Sequence, residues 1–320
     1  MVKFGKDMPM HPKRSMASYP RQDNVYTHKS SLNFDMMRAK IFEDRKGTHT
    51  DFYVWVAHIF IGFGTALIAF LLTVIEDASA EFRNAKVQYL LDSNKDSSFL
   101  AYIFYVGFAV LFVLIACLMT IYIGPGANGS GVAEIMGMLN GINYPGLIGF
   151  KTLFVKVFGT FFAVAGGLCI GKEGPLAHIG ANVGAISSHV PIRGFRCLRN
   201  DVIKRQLVAA GASAGVSAAF GSPIGGSLFS YEISKPNTFW TFSMLWRVFF
   251  GSSICTFMLS IFTALKTGSP FSLTDAATLK FGYLEPEENS LLDIPAAIVI
   301  GAVCGCLGAL FIYVNINLAI

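Results

Sequence analysis

Apolar residues in this chain come in long blocks, not in the short alternation of strands or the striped pattern of surface helices. Blocks at 52–75, 99–123, 147–170, 239–265 and 291–320 each have the length of about 20 residues that a helix needs to cross a bilayer. The intervals between them predict further elements. A polar link covers 76–98, a short amphipathic segment 135–139 and a turn 140–145. A modest helix follows at 176–190, then a basic loop at 191–205. A helix rich in Ala, Gly and Ser covers 206–220, and another, bearing Glu232, covers 227–233. A polar loop fills 266–289. Ahead of the first block, 1–31 is polar and proline-bearing, and 32–42 predicts a short interfacial helix.

Glycine interrupts this pattern three times. The first break runs from Gly124-Pro125-Gly126 through Gly129-Ser130-Gly131 to Glu134. The second runs from Gly166-Gly167 through Gly171-Lys172-Glu173-Gly174-Pro175. The third is Gly221-Ser222-Pro223 through Gly226. Glycine is costly inside a helix, whereas proline suits a first helical turn. The third block is therefore expected to end near Gly171, with a new helix starting between Glu173 and Pro175. Bare backbone at membrane depth survives only where protein buries it or it lines a polar cavity. An acid there marks a functional position.

Composition fixes the class. Of 320 residues, 53% are hydrophobic and 14% charged, with 29 Phe and 32 Gly, which describes an all-α polytopic membrane protein. Ten Lys and Arg, from Lys3 to Lys46, precede the first block and account for much of the net charge of +5. That flank places the N-terminus in the cytoplasm and makes a nucleic-acid arm unnecessary. It divides the chain into a cytoplasmic segment, 1–51, and a membrane domain, 52–320. The first block starts too late for a cleavable signal. Most of the six cysteines lie in apolar stretches. Cys304 and Cys306 have no His or carboxylate beside them, so no metal site is expected.

Several familiar patterns fail their context. GxGxxG at 124–129 follows a membrane helix rather than a strand, and GxxxxGK at 166–172 continues into Glu173 where a nucleotide loop needs Ser or Thr. Asn128-Gly129-Ser130 is a glycosylation sequon at a helix break, where it is inaccessible. GxSxG at 211–215 lies in a small-residue helix rather than a strained strand-to-helix turn. An intramembrane serine hydrolase using Ser213 with His178 or His189 remains the alternative from another class. His178 is otherwise read as a packing residue.

Broken helices point to anion transport. The first N–H groups of a helix lack partners within it, and the aligned peptides leave about half a positive charge there. Converging helix starts replace water around an anion without a full cation, whose grip would slow release. An exposed start contributes about 0.3–1 kcal/mol, so several must combine with hydroxyl donors.

GSGVAE (Gly129 to Glu134), GKEGP (Gly171 to Pro175) and GSPIGGSLFSYE (Gly221 to Glu232), in this order, resemble the CLC chloride channels and chloride/proton exchangers. Flanking residues such as Leu139-Asn140-Gly141 and Leu245-Trp246-Arg247 are most similar to the endosomal, lysosomal and plant vacuolar branch. The resemblance implies an inverted-repeat fold in a homodimer with one anion pathway per subunit. This chain would supply the first repeat and the opening of the second. The later GxFxP-type motif, the filter tyrosine and the CBS pair lie outside these residues.

By the same resemblance Ser130, flanked by Gly129 and Gly131, donates its hydroxyl to chloride, and Glu173 is the gate. Its carboxylate occupies an anion position when ionised and swings away when protonated. Gly171, Gly174 and Pro175 frame it, and Lys172 adds positive potential at the mouth. Ala133 stands where the family has proline. Glu232 lies at the proton pathway, but Ile233 replaces the acid that relays protons in exchangers. That substitution makes a voltage-gated chloride channel the main reading, and a chloride/proton exchanger, which the branch favours, is the alternative. Chloride is the ligand, protons are a possible second one, and no cofactor is expected.

Overall fold

The computed structural model describes residues 49–93, 98–142, 144–168, 170–190, 198–234, 240–268 and 293–318. The expectations for 1–48, for Arg193 and Arg196, for Cys169 and Cys197, and for the loop at 269–292 lie outside the described residues. The described residues form helices α1 (His49–Ser93), α2 (Ser98–Leu118), α3 (Val132–Leu139), α4 (Phe150–Ala165), α5 (Glu173–Ser187), α6 (Asp201–Phe220), α7 (Pro223–Ser234), α8 (Phe242–Thr267) and α9 (Asp293–Leu318). A single π-type turn, Met119–Ile123, and a 3-10 turn, Pro125–Ala127, lead out of α2. No strand occurs among the described residues. Four of the helices are long and apolar enough to span a membrane: Asp51–Asp92, Ser98–Ile123, Phe242–Thr267 and Ile294–Leu318.

The chain divides into two compact units, Met1–Thr278 and Leu279–Ile320. The second consists, among the described residues, of α9 alone. The first is built around α6, buried along most of its length. α5 packs on it most extensively, followed by α7, α8 and α1. Small residues make this possible. A Cβ on Gly180 would run into the carbonyl of Gly211, and one on Gly211 into that of Gly180, so the two backbones touch directly, as membrane helices with small residues at their interfaces do. Hydroxyls sit between the helices: Ser213 Oγ lies 2.6 Å from Ser252 Oγ, and Ser230 donates to the Ala209 carbonyl at 2.7 Å. Large apolar side chains instead point outward, among them Phe60, Leu71, Tyr102 and Phe154. Polar contacts inside and Phe or Leu outside is the pattern that lipid solvates.

Several boundaries differ from expectation. The first helix does not end at Glu76; it continues through the polar link to Ser93. The segment 76–93 has neither Gly nor Pro, and a change from apolar to polar side chains alters the solvent, not the backbone. α4 stops at Ala165, six residues before Gly171, because the Gly166-Gly167 pair intervenes. α7 begins at Pro223 instead of Ser227, with the Ser222 hydroxyl accepting the Gly225 N–H at 3.1 Å. That is a helix start with proline in the first turn. Lys204 and Arg205, assigned to a basic loop, fall inside α6, whose N-cap Asn200 accepts from the Val202 N–H.

Candidate functional site

Two of the three glycine breaks meet. After the Pro125–Ala127 turn the chain runs through Asn128, Gly129 and Ser130 to Gly131, whose left-handed φ of 81° turns it into α3. The other break delivers Lys172 to the start of α5. A Cβ on Gly174 would lie 2.8 Å from the Ser130 Cβ, so Ser130 rests on the first turn of α5. A Cβ on Gly131 would run into the His178 imidazole. Both contacts demand glycine, and both close the gap between the two helix starts. Ser130 is exposed, and its Oγ accepts the Val132 N–H at 3.4 Å. Gly129 N–H donates to Asn128 Oδ1 at 2.9 Å. The first backbone bonds of the two helices are Ile135 to Gly131 and Leu176 to Lys172. Pro175 has no N–H to offer, so the amides available at the start of α5 belong to Glu173 and Gly174.

Beneath this junction lies a cation that sequence reasoning passed over. Lys156, in the middle of α4, is 2% exposed. Its Nζ donates to the Ala127 carbonyl at 3.0 Å and the Gly129 carbonyl at 2.6 Å. It therefore ties down the loop that presents Ser130, and it brings a positive charge into a low-dielectric region where charge acts strongly. The signal was present: a lysine inside an apolar block is costly and is kept for a purpose. Lys156 also walls a cavity of about 480 Å³ that reaches Asn128, Gly129, Ile170 and Pro175.

Glu173 is half-buried and folds its carboxylate back over Gly171, where a Cβ would collide with Oε2. Lys172 does not pair with it. Its Nζ lies 3.1 Å from Glu76 Oε2 and 3.1 Å from Thr73 Oγ1, both on α1. The expectation that Lys172 supplies free positive potential at the mouth is thereby corrected: Glu76 compensates it. At the other end of the same break, Arg83 Nη1 donates to the Ala165 carbonyl at 3.0 Å and closes the C-terminus of α4, as a basic group there does.

The remaining residues lie apart from this junction. The third break packs on α6, where a Cβ on Gly226 would meet Ser217. Glu232 is exposed near the end of α7, and Ile233 is buried in the core. Asn140, at the far end of α3, donates to the Ile233 carbonyl at 3.4 Å, so α3 reaches from the Ser130 loop to the end of α7 that bears Glu232. The hydrolase alternative fails. Ser213 is fully buried in an unbroken helix and bonded to Ser252; His178 Nε2 is spent on the Leu147 carbonyl at 3.0 Å, and His189 on Ser188 and Ala185. Among the described residues no cluster of His, Cys, Asp or Glu is arranged to hold a metal.

Comparison with known proteins gives a consistent answer. The family model described as voltage gated chloride channel matches residues 111–319. The human H(+)/Cl(-) exchange transporter 7 is 33% identical over 98% of this chain and 40% of its own length. Chloride channel protein C of Dictyostelium discoideum is 30% identical over 96% of this chain and 42% of its own. Chloride channel protein CLC-a of Arabidopsis thaliana is 30% identical over 89% and 38%. The chain thus spans about two-fifths of the length of these relatives. Two solved structures share the fold. A slow cyanobacterial Cl−/H+ antiporter has a TM-score of 0.59 at 20% identity, with 80% of this chain and 55% of that one covered. A eukaryotic CLC transporter has a TM-score of 0.56 at 22% identity, with 66% and 38% covered.

Proposed function

The chain belongs to the voltage gated chloride channel family, and from that premise we propose that it carries chloride across a membrane in exchange for protons, with Glu173 as the gate. The observation that carries this reading is the seat of Ser130 on the first turn of α5. One serine hydroxyl, the amides of two helix starts and an acid able to reach the same place come together there. The helix starts supply partial positive charge, and buried Lys156 adds a whole one behind the loop. Gly129, Gly131, Gly171 and Gly174 keep the backbone bare, and Pro175 fixes the first turn of α5. Exchange is preferred over the channel reading because of the relatives: the human one is named an exchange transporter, and a structural neighbour is described as an antiporter. No cofactor is invoked.

The channel reading keeps one specific observation in its favour. Ile233, beside Glu232, is 6% exposed and packed in the core, so it offers protons no path at the position where the resemblance expects a relay. We assign residues 1–51 to the cytoplasmic side and 52–320 to the membrane domain, and we expect the assembly to be a homodimer. The deciding experiment is the reversal potential of the full chain in a planar bilayer. Exchange requires it to move when pH changes at fixed chloride. A potential that follows chloride alone assigns the protein to the channels.

A further inference from the structure

Resting on the reading of Glu173 as the gate, we infer that the polar half of α1 is a brace that sets the position and the electrostatics of that gate, with Glu76 as its key positioning residue. The second glycine break has two ends, and α1 holds both. Arg83 takes the Ala165 carbonyl where α4 stops. Thr73 and Glu76 take the Lys172 ammonium, one residue before Glu173. Thr73, Glu76 and Arg83 follow one another at spacings of three and seven residues, which places them on a single face of the helix. A break made of Gly166, Gly167 and Gly171 has little stiffness of its own. Its geometry is imposed from outside, and the continuation of α1 past its apolar half supplies the imposing groups.

The pair is also an electrostatic device. Glu76 is 8% exposed, and its Oε1 has no hydrogen-bond partner among the described residues. The charged groups around it are Lys172 and Glu173 from the start of α5 and Asp77 on its own helix. Lys266 of α8 compensates Asp77 at 2.9 Å. From α2 comes Tyr105, whose ring lies under Arg83. Glu76 therefore cancels the one cation adjacent in sequence to Glu173. With Glu76 neutralised, Lys172 stands uncompensated and holds the Glu173 carboxylate in its ionised, blocking form. With Lys172 removed, the uncompensated Glu76 opposes that form.

The test is chloride flux against external pH in liposomes containing the full chain. Glu76→Gln moves the pH of half-maximal flux towards acid by about one unit, the size of effect a neighbouring charge produces. Glu76→Asp, which keeps the carboxylate, moves it less. Lys172→Met moves it towards alkali. Opposite signs for two variants that break the same contact distinguish an electrostatic brace from loss of packing. In a Glu173→Ala background none of the three changes the profile. Shifts of the same sign, no shift, or a shift that persists without Glu173 would overturn the brace. A wild-type pH profile in Glu173→Ala itself overturns the gate reading as well, so the two failures are separable.

Discussion

Lys156 and Glu173 show how much one side chain is asked to do in a membrane. Two short hydrogen bonds from the Lys156 ammonium hold the carbonyls of Ala127 and Gly129, and bonds to a charged donor are worth about 1.5–3 kcal/mol each. Lys156→Met keeps the length and loses both. The loop under Ser130 then relaxes and the local field falls. Chloride affinity is expected to drop about tenfold, or ~1.4 kcal/mol, as measured by isothermal titration on the purified protein. An unchanged affinity would show that the lysine serves only packing. Glu173→Ala removes the carboxylate proposed to compete with the anion. It is expected to raise chloride flux at neutral pH or to abolish its dependence on voltage and pH, and liposome flux assays at several pH values read this directly. At this scale an acid set in a glycine break drew attention to Glu173, and the resemblance of the motifs to the CLC family drew it to Ser130. The partners of Lys156 and Lys172 were not visible. Both depend on α4 and α1 crossing the breaks at one particular height, and no local pattern records such a crossing.

At the scale of elements, the contact between α5 and α6 sets the limits. Backbone touches backbone at Gly180 and Gly211, so a side chain at either position must push the helices apart. Overpacking of this kind costs about 1–3 kcal/mol. Gly211→Leu is therefore expected to lower the unfolding temperature in detergent by several degrees and to disturb the start of α5, which carries Glu173. Gly107→Leu in α2 serves as the control, since a Cβ there meets nothing within 4 Å among the described residues. The helical elements themselves were largely legible. Apolar blocks and glycine breaks located the starts of α5 and α8 closely. The errors have physical causes. Gly166-Gly167 ended α4 before its apolar run was exhausted. A run with no Gly or Pro let α1 continue after its apolar run was spent. Hydropathy reports the solvent a helix prefers, and only the backbone-breaking residues report where it stops.

At the scale of the whole molecule, an exterior of Phe, Leu and Tyr around an interior of Ala, Val, Ile and Leu interspersed with Ser and Thr identifies lipid as the surrounding medium. The proposed cytoplasmic N-terminus rests on the ten Lys and Arg between Lys3 and Lys46, the charge bias that cytoplasmic flanks carry. A tag at that end should be cut by protease in inside-out vesicles and protected in right-side-out ones; the reverse result would invert the orientation. The family was readable from the three motifs in order. The choice between conduction and exchange was not: Ile233 led the sequence reading to conduction, whereas the human relative is named an exchange transporter.

The 45 residues of α1 rise about 67 Å, against a hydrocarbon layer of about 30 Å. Such a rod leans or protrudes, and the helices packed against it set its slant. Since the same rod grips both edges of the second glycine break, the depth at which its apolar half, 52–75, settles in the lipid fixes the height of the proposed gate, Glu173.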